Sequence, residues 1–220
     1  MKLLLTSAGI TNASIRAALL ELLGRPIDEC CALLITTASY PLRGGPELAW
    51  SFIAGEEPRT PMAELGWKSI GVLELTALPS IDRATWQAAV QDTDVLLVNR
   101  GDAIYLDRWI RESGLAALVP SLRAVWVGLS AGSLVMGPSI ADVFAAWTSP
   151  VGGEGLATVD FEIFPHLDNP GLPENTMADA ERWASGLTGA GYAIDDETAI
   201  KVVDGTVEVV SEGHWRLFGR

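Results

Sequence analysis

Short apolar runs alternate with helical segments along the first 130 residues, and this alternation restricts the fold more than any other feature. Five runs have the length and composition of buried strands: Lys2–Thr6, Ala32–Thr36, Ser69–Leu75, Val95–Val98 and Ala124–Val127. Three segments between them carry apolar residues at helical spacing: Ser14–Leu23, Asp82–Gln91 and Ala103–Ser113. Continuous apolar strands separated by helices are typical of a parallel sheet covered on both faces. We therefore expect a three-layer α/β fold with a doubly wound, mostly parallel sheet.

The last third of the sequence predicts a smaller β addition to this core. Asp160–Phe164 has the pattern of a further strand, and Asn175 or Thr176 is expected to cap a helix that runs to Trp183. Two apolar runs separated by Asp-Gly, Ala199–Val203 and Thr206–Ser211, predict a C-terminal β-hairpin. Since no linker interrupts the 220 residues and 49% of them are hydrophobic, we expect a single domain spanning residues 1–220.

One motif at the end of the fifth apolar run indicates chemistry. The run leads into Gly-x-Ser-x-Gly, with Ser130 at its centre, and an apolar segment that begins at Ser133 follows. A serine between a strand and a helix is the pattern of a nucleophile elbow, a sharp turn that exposes the hydroxyl. Backbone N–H groups at the start of the next helix would then lie where an oxyanion forms. The motif predicts a serine nucleophile and acyl-transfer chemistry.

A serine nucleophile needs a base, and the sequence contains only two histidines. His166 follows the predicted strand Asp160–Phe164, and sites gather at the carboxyl ends of parallel strands. With an acid from residues 195–197, this gives the order serine, histidine, acid. His214 lies after the hairpin and would instead give Ser130, Asp196, His214, the order of α/β-hydrolases. The local pattern favours His166 only modestly.

Charge and cysteine usage restrict the partners and the compartment. The net charge of −13 does not suit a nucleic acid or an anionic membrane, because such binding needs many lysines and arginines. The apolar run at the N-terminus is too short for a signal peptide, and adjacent Cys30 and Cys31 are poorly placed to bond each other. We expect a cytoplasmic protein. Two histidines with scattered acidic residues give no zinc-like spacing, so neither a metal nor another cofactor is expected.

Several ordered blocks resemble peptidase E (aspartyl dipeptidase) and the related cyanophycinase. These families are serine hydrolases on a scaffold like that of class I glutamine amidotransferases. The blocks lie between about residues 95 and 210. They are Val98–Asp102 after an early strand, Val127–Ser133 at the elbow, Phe164–His166, and Ala193–Ala199 with its acidic triplet. The resemblance implies a flavodoxin-like, amidotransferase-like sheet, in agreement with the fold predicted from the apolar pattern.

The resemblance also implies a role for each matching residue. Ser130 would be the nucleophile and His166 the general base, and the backbone N–H groups of Gly101 and Ala131 would form the oxyanion hole. The acid falls best on Asp196, where the family usually has glutamate. This difference leaves Asp195 and Glu197 open as alternatives, with Asp142 as a weaker fourth candidate.

A second departure from the family lies just before Gly101. Asn99 and Arg100 stand where family members commonly have two glycines. Arg100 could bind a substrate carboxylate, or it could point into solvent and pair with Asp102 or Asp107. A preference for acidic substrates depends on the first alternative.

The favoured function is therefore a serine peptidase that cleaves short peptides through an acyl-enzyme. Two alternatives remain open. One is a serine esterase or amidase acting on a small non-peptide molecule, and the other is a non-catalytic binding domain on the amidotransferase scaffold. The sequence does not decide between a monomer and a homodimer. The loop expected over Pro41–Pro46, after the second strand, would overhang the site.

Overall fold

The structure is a computed structural model that describes residues 1–141, 144 and 153–219, and in these ranges it contains two β-sheets. The strands are β1 (Lys2–Thr6), β2 (Cys31–Ile35), β3 (Ser69–Val72), β4 (Val95–Val98), β5 (Val125–Leu129), β6 (Phe161–Phe164), β7 (Ala190–Ile194), β8 (Thr198–Val203), β9 (Thr206–Ser211) and β10 (Trp215–Phe218). The α-helices are α1 (Ala13–Leu23), α2 (Gly45–Ala54), α3 (Arg83–Asp92), α4 (Ala103–Glu112), α5 (Ala131–Leu134) and α6 (Met177–Ala184).

The larger sheet has seven strands in the order β3-β2-β4-β5-β1-β8-β9. The first five of these strands are parallel to one another, and β8 and β9 continue the sheet as an antiparallel hairpin beside β1. The predicted mostly parallel sheet with a C-terminal hairpin is therefore confirmed. Asp204 and Gly205 form the hairpin turn with φ values of 47° and 85°, the backbone that a tight two-residue turn requires.

Successive residues along the central strands point to opposite faces of this sheet, and each face has its own apolar core. On one face Leu4, Val127 and Leu97 pack with residues of α1 and α2. On the other face Leu5, Trp126 and Leu96 pack with residues of α3, α4 and α5. Because both faces are covered, the parallel strands are continuously apolar, as the sequence pattern predicted.

The smaller sheet has three strands in the order β10-β7-β6. Strands β6 and β7 are parallel, so the segments that follow them leave the sheet at the same edge. Ser7, directly after β1, joins this edge to the larger sheet. Its hydroxyl donates to the carbonyl of Ile194 at 3.1 Å and accepts the backbone N–H of His166 at 3.0 Å.

The structure departs from the expected elements in two places. Helix α2 was not predicted: it begins at Gly45, inside the loop expected over Pro41–Pro46, and Gly44 precedes it in a left-handed conformation. Strands β7 and β10 were not predicted. Across the described residues, no helix combines the length and the apolar composition that a bilayer crossing requires.

Candidate active site

Ser130 forms the sharp turn between β5 and α5. Its backbone has φ 50° and ψ −106°, a conformation that a residue with a side chain adopts only under constraint. The constraint comes from β1, because the Ser130 N–H donates to the Thr6 carbonyl at 2.9 Å. Three residues later, Ser133 Oγ bonds both the N–H and the carbonyl of Thr6, each at 2.8 Å. The predicted strand–turn–helix around Ser130 is therefore present, and it is held against the neighbouring strand.

The two glycines of the motif are needed for close packing. A β-carbon at Gly128 would collide with the Gly132 carbonyl, and one at Gly132 would collide with the Val98 carbonyl of β4. The Gly132 carbonyl also accepts a hydrogen bond from Trp126 Nε1 at 2.8 Å. The start of α5 therefore lies directly on strands β4 and β5, a position that only small residues allow.

Replacing Gly132 with alanine tests this packing. We expect Gly132→Ala to lower the free energy of unfolding by about 1–3 kcal/mol, because backbone atoms would have to move. Gly186→Ala is the matched control, since the nearest atom to its added methyl would lie at an ordinary 3.6 Å. Urea unfolding of both variants measures the difference. Equal stabilities would show that the elbow tolerates a side chain at this position.

His166 and Asp196 meet at the edge of the smaller sheet. His166 follows β6 and Asp196 follows β7, and because these strands are parallel neighbours the two residues lie side by side. His166 Nδ1 is 2.7 Å from Asp196 Oδ1. The imidazole is 16% exposed and the carboxylate 31%, so both are reachable from solvent but mostly enclosed. A carboxylate on Nδ1 fixes the ring and leaves Nε2 for another partner.

The surroundings of Asp196 favour its ionised form. Burial raises the pKa of this carboxyl, but the hydrogen bond and the charge of His166, with a hydrogen bond from Asn169, lower it by more. The net pKa of Asp196 lies below its ordinary value. Above about pH 4, the usual pKa of an aspartate, the carboxylate therefore remains ionised and able to orient the ring.

The other acidic candidates face different partners. Asp195 is buried and accepts hydrogen bonds from the N–H groups of Glu197 and His214 and from the Thr198 hydroxyl, which hold the turn before β8. Glu197 is exposed, and its carboxylate accepts from Asn12 at 3.0 Å. Asp142 lies outside the described residues.

His214 is not part of the same cluster. Its ring is 53% exposed and lies between Asp168, at 2.9 Å from Nε2, and Asp195, at 3.0 Å from Nδ1. The geometry thus places His166, and not His214, beside Asp196.

Ser130 and His166 line one cavity of about 350 Å³ together with Gly101. Gly101 has φ 144°, and a β-carbon there would collide with the Ala38 carbonyl, so only glycine fits. Ala131 is the first residue of α5, where a backbone N–H has no partner within the helix. Leu42, from the segment before α2, also lines this cavity, as expected for a loop that overhangs the site.

Arg100 borders the cavity, and its charge is already engaged. Its Nη1 lies 2.9 Å from Oε2 of Glu57, a buried carboxylate that the sequence gave no reason to expect. Pairing with Asp102 or Asp107 was one of the two alternatives for Arg100, but Asp107 binds Arg111 and Asp102 caps α4. Glu57 lies 43 positions away along the chain, so no local pattern could indicate it.

Asn99 and Asn169 have positioning contacts. Asn99 is buried and bonds the Ser39 hydroxyl at 3.1 Å and the Arg100 N–H at 2.8 Å, so it does not crowd the site. Asn169 donates to the Asp196 oxygen opposite the one that faces His166. Sequence reasoning missed Asn169, because its role depends on how the loop after β6 folds back.

Comparisons with known proteins identify the fold and the family of the chain. The model of Peptidase family S51 matches residues 51–210. A putative peptidase E from Listeria monocytogenes EGD-e has a similar structure, with a TM-score of 0.65 and 18% identity, over 96% of this chain and 98% of that one. A peptidase from an acI-B1 Actinobacterium gives a TM-score of 0.71 and 18% identity, over 99% of this chain and 90% of that one.

No curated protein matches this sequence. The two structural likenesses establish the fold, and the family match extends over more than half of the chain. The structural likenesses confirm the predicted α/β fold, and the family match confirms the predicted kind of enzyme. The chain belongs to peptidase family S51 and is a serine peptidase.

Proposed function

We propose that this protein hydrolyses short peptides with Ser130 as nucleophile, His166 as general base and Asp196 as the acid that orients His166. The observation that carries the proposal is the 2.7 Å contact between Asp196 and His166, whose ring lines the cavity where Ser130 stands. With the Nδ1 proton directed at Asp196, Nε2 is the basic nitrogen and can accept the Ser130 hydroxyl proton. The strained elbow keeps that hydroxyl at the cavity surface.

The reaction then proceeds in two halves. Ser130 Oγ attacks the peptide carbonyl as its proton passes to His166, and the N–H groups of Gly101 and Ala131 stabilise the oxyanion. His166 returns the proton to the leaving amine, the carbon–nitrogen bond breaks, and an acyl-serine ester remains. A water molecule, deprotonated by the same histidine, attacks this ester, and the second product leaves with Ser130 restored.

Hydrolysis by the unmodified protein is the direct test of this proposal. A panel of dipeptides with acidic, apolar and basic first residues, together with a simple ester, is incubated with the protein, and released amines are quantified. A serine-reactive phosphonate probe followed by peptide mass spectrometry identifies the reacting side chain. Peptide cleavage with labelling at Ser130 supports the proposal. Ester turnover without peptide cleavage, or labelling elsewhere, contradicts it.

The identity of the acid can be tested with two neighbouring substitutions. We expect Asp196→Asn to lower kcat about 10³–10⁴-fold, because the amide cannot stabilise the imidazolium and disturbs the ring tautomer. The Glu197 carboxylate contacts Asn12 and not His166, so kcat of Glu197→Gln should stay within about threefold of that of the unmodified protein. Steady-state kinetics on the best dipeptide decide the matter. The reverse pattern would assign the acid to Glu197.

We also infer the cellular location, the domain organisation and the partners of the enzyme. A cytoplasmic protein that acts as one domain and binds no nucleic acid fits the charge of −13, the uninterrupted sequence and the two free cysteines. Cell fractionation with an antibody tests the location. Light scattering at increasing protein concentration distinguishes a monomer from a homodimer.

A further inference from the structure

A second cavity of about 560 Å³ is also lined by His166. Arg100, His166 and Leu172 line both this cavity and the one that contains Ser130. Asp196 and Asn169 line only the second cavity, whereas Gly101 lines only the first. Each cavity has the volume of a small-ligand site. The two together form a cleft in two compartments, with the proposed general base between them.

The proposed chemistry sets the direction of a peptide in this cleft. The carbonyl under attack must lie in the compartment with Ser130 and Gly101, so the residue that becomes the acyl group occupies that side. The leaving amine must receive its proton from His166. The residue that carries this amine therefore extends past His166 into the second compartment.

The charged side chains of the two compartments match the two ends of a dipeptide. Glu174 is exposed and lines the compartment of the acyl residue, where a dipeptide has its free ammonium group. Arg59 is exposed and lines the second compartment, where the leaving residue has its free carboxylate. Among the described residues, neither Glu174 nor Arg59 has a partner of opposite charge within ion-pair distance.

The other charged side chains of the cleft are already paired or have the wrong sign to bind a carboxylate. Arg100 is held by Glu57, and Asp196 by His166 and Asn169. Glu56 borders the second compartment and would repel a carboxylate beside it, so Arg59 is the side chain there that can bind one. Apolar side chains complete the acyl compartment, with Leu134 and Phe144 among them. This lining fits an apolar first residue better than an acidic one.

We propose that Glu174 binds the substrate's α-ammonium group and Arg59 its α-carboxylate, so that the cleft selects unblocked dipeptides. The proposal rests on the function proposed above and assigns both ends of its substrate. Neither residue touches the reacting atoms. Each contributes one charge-assisted contact to binding, worth about tenfold in kcat/KM when it is lost.

Blocked substrates test both contacts at once. The probes are Leu-Ala, N-acetyl-Leu-Ala and Leu-Ala amide, or the same three forms of whichever dipeptide the panel shows is cleaved fastest. For the unmodified protein we expect each block to lower kcat/KM about tenfold, mainly through KM. In Glu174→Gln the penalty for acetylation should fall below about threefold while the amide penalty persists. In Arg59→Gln the penalty for the amide should fall below about threefold while the acetylation penalty persists.

Arg123→Gln is the matched control, because Arg123 is exposed and lines cavities that contain neither Ser130 nor His166. It should keep both penalties. Variants that lose activity equally on all three substrates, or penalties that no substitution changes, would overturn the assignment while leaving the proposed triad intact. Failure of the unmodified protein to cleave any peptide would overturn both proposals.

Discussion

Ser130→Ala is expected to reduce peptide hydrolysis by about 10⁴–10⁶-fold, to the level left by the oxyanion hole and binding alone. Alanine has to adopt the same backbone φ of 50° as Ser130, and only the hydroxyl is lost, so the free energy of unfolding should hardly change. Single-turnover kinetics at high enzyme concentration measure the residual rate. Retention of more than a tenth of the activity would remove Ser130 from the mechanism.

A second serine in the same motif provides the contrast. Ser133 Oγ bonds the backbone of Thr6 and lies buried. Ser133→Ala should therefore lower the free energy of unfolding by about 1–3 kcal/mol, since the Thr6 N–H loses its acceptor. Its activity below the melting temperature should fall less than tenfold. We therefore expect Ser130→Ala to affect mainly the reaction and Ser133→Ala mainly the stability.

His166→Ala should be about as damaging as loss of the nucleophile, because residues of a triad act as one unit. The variant keeps Ser130 but has no base to remove its proton, so kcat should fall about 10⁴–10⁶-fold. Addition of free imidazole should restore part of the rate, because the cavity left by the ring opens to solvent. Measurement of kcat with and without imidazole checks both statements.

His214→Ala is the control for this experiment. Its exposed ring contacts Asp168 and Asp195 and lines neither compartment of the cleft. We expect its kcat to remain within about threefold of the unmodified protein. A large loss in this variant, with activity retained in His166→Ala, would establish the order Ser130, Asp196, His214 instead.

The sequence predicted best those parts of the fold that local patterns determine. β1, β4 and the hairpin strand β9 lie where the apolar runs were found, and Thr176 caps α6 as expected. Helix α2 was missed because the Gly-Gly-Pro segment at its start is typical of a loop, although Pro46 also suits a first helical turn. β7 begins with Ala190 and Gly191, two residues of low strand propensity, so its pairing with β6 and β10 is determined by tertiary contacts.

The candidate site was predictable to a similar extent. Ser130 and His166 each end a recognisable local pattern, a strand followed by an elbow and a strand followed by Pro-His. Three consecutive acidic residues do not reveal which one faces the histidine, because this depends on how the turn after β7 is packed. Glu57 approaches the site from a distant part of the chain, and Asn169 does so through the fold of the loop after β6, so both roles follow from the folded geometry alone.

The end of β1 has a consequence for how this enzyme can be altered. Thr6 and Ser7 contact the backbones of Ser130 and His166, so the spacing between the proposed nucleophile and base is determined by a strand to which neither belongs. The residues proposed to recognise substrate lie instead on surface segments around Arg59 and Glu174. Engineering of new substrate preferences should therefore randomise those two segments and leave the Thr6–Ser7 pair unchanged. Recognition in this scaffold is replaceable in parts, whereas the alignment of the reacting groups is not.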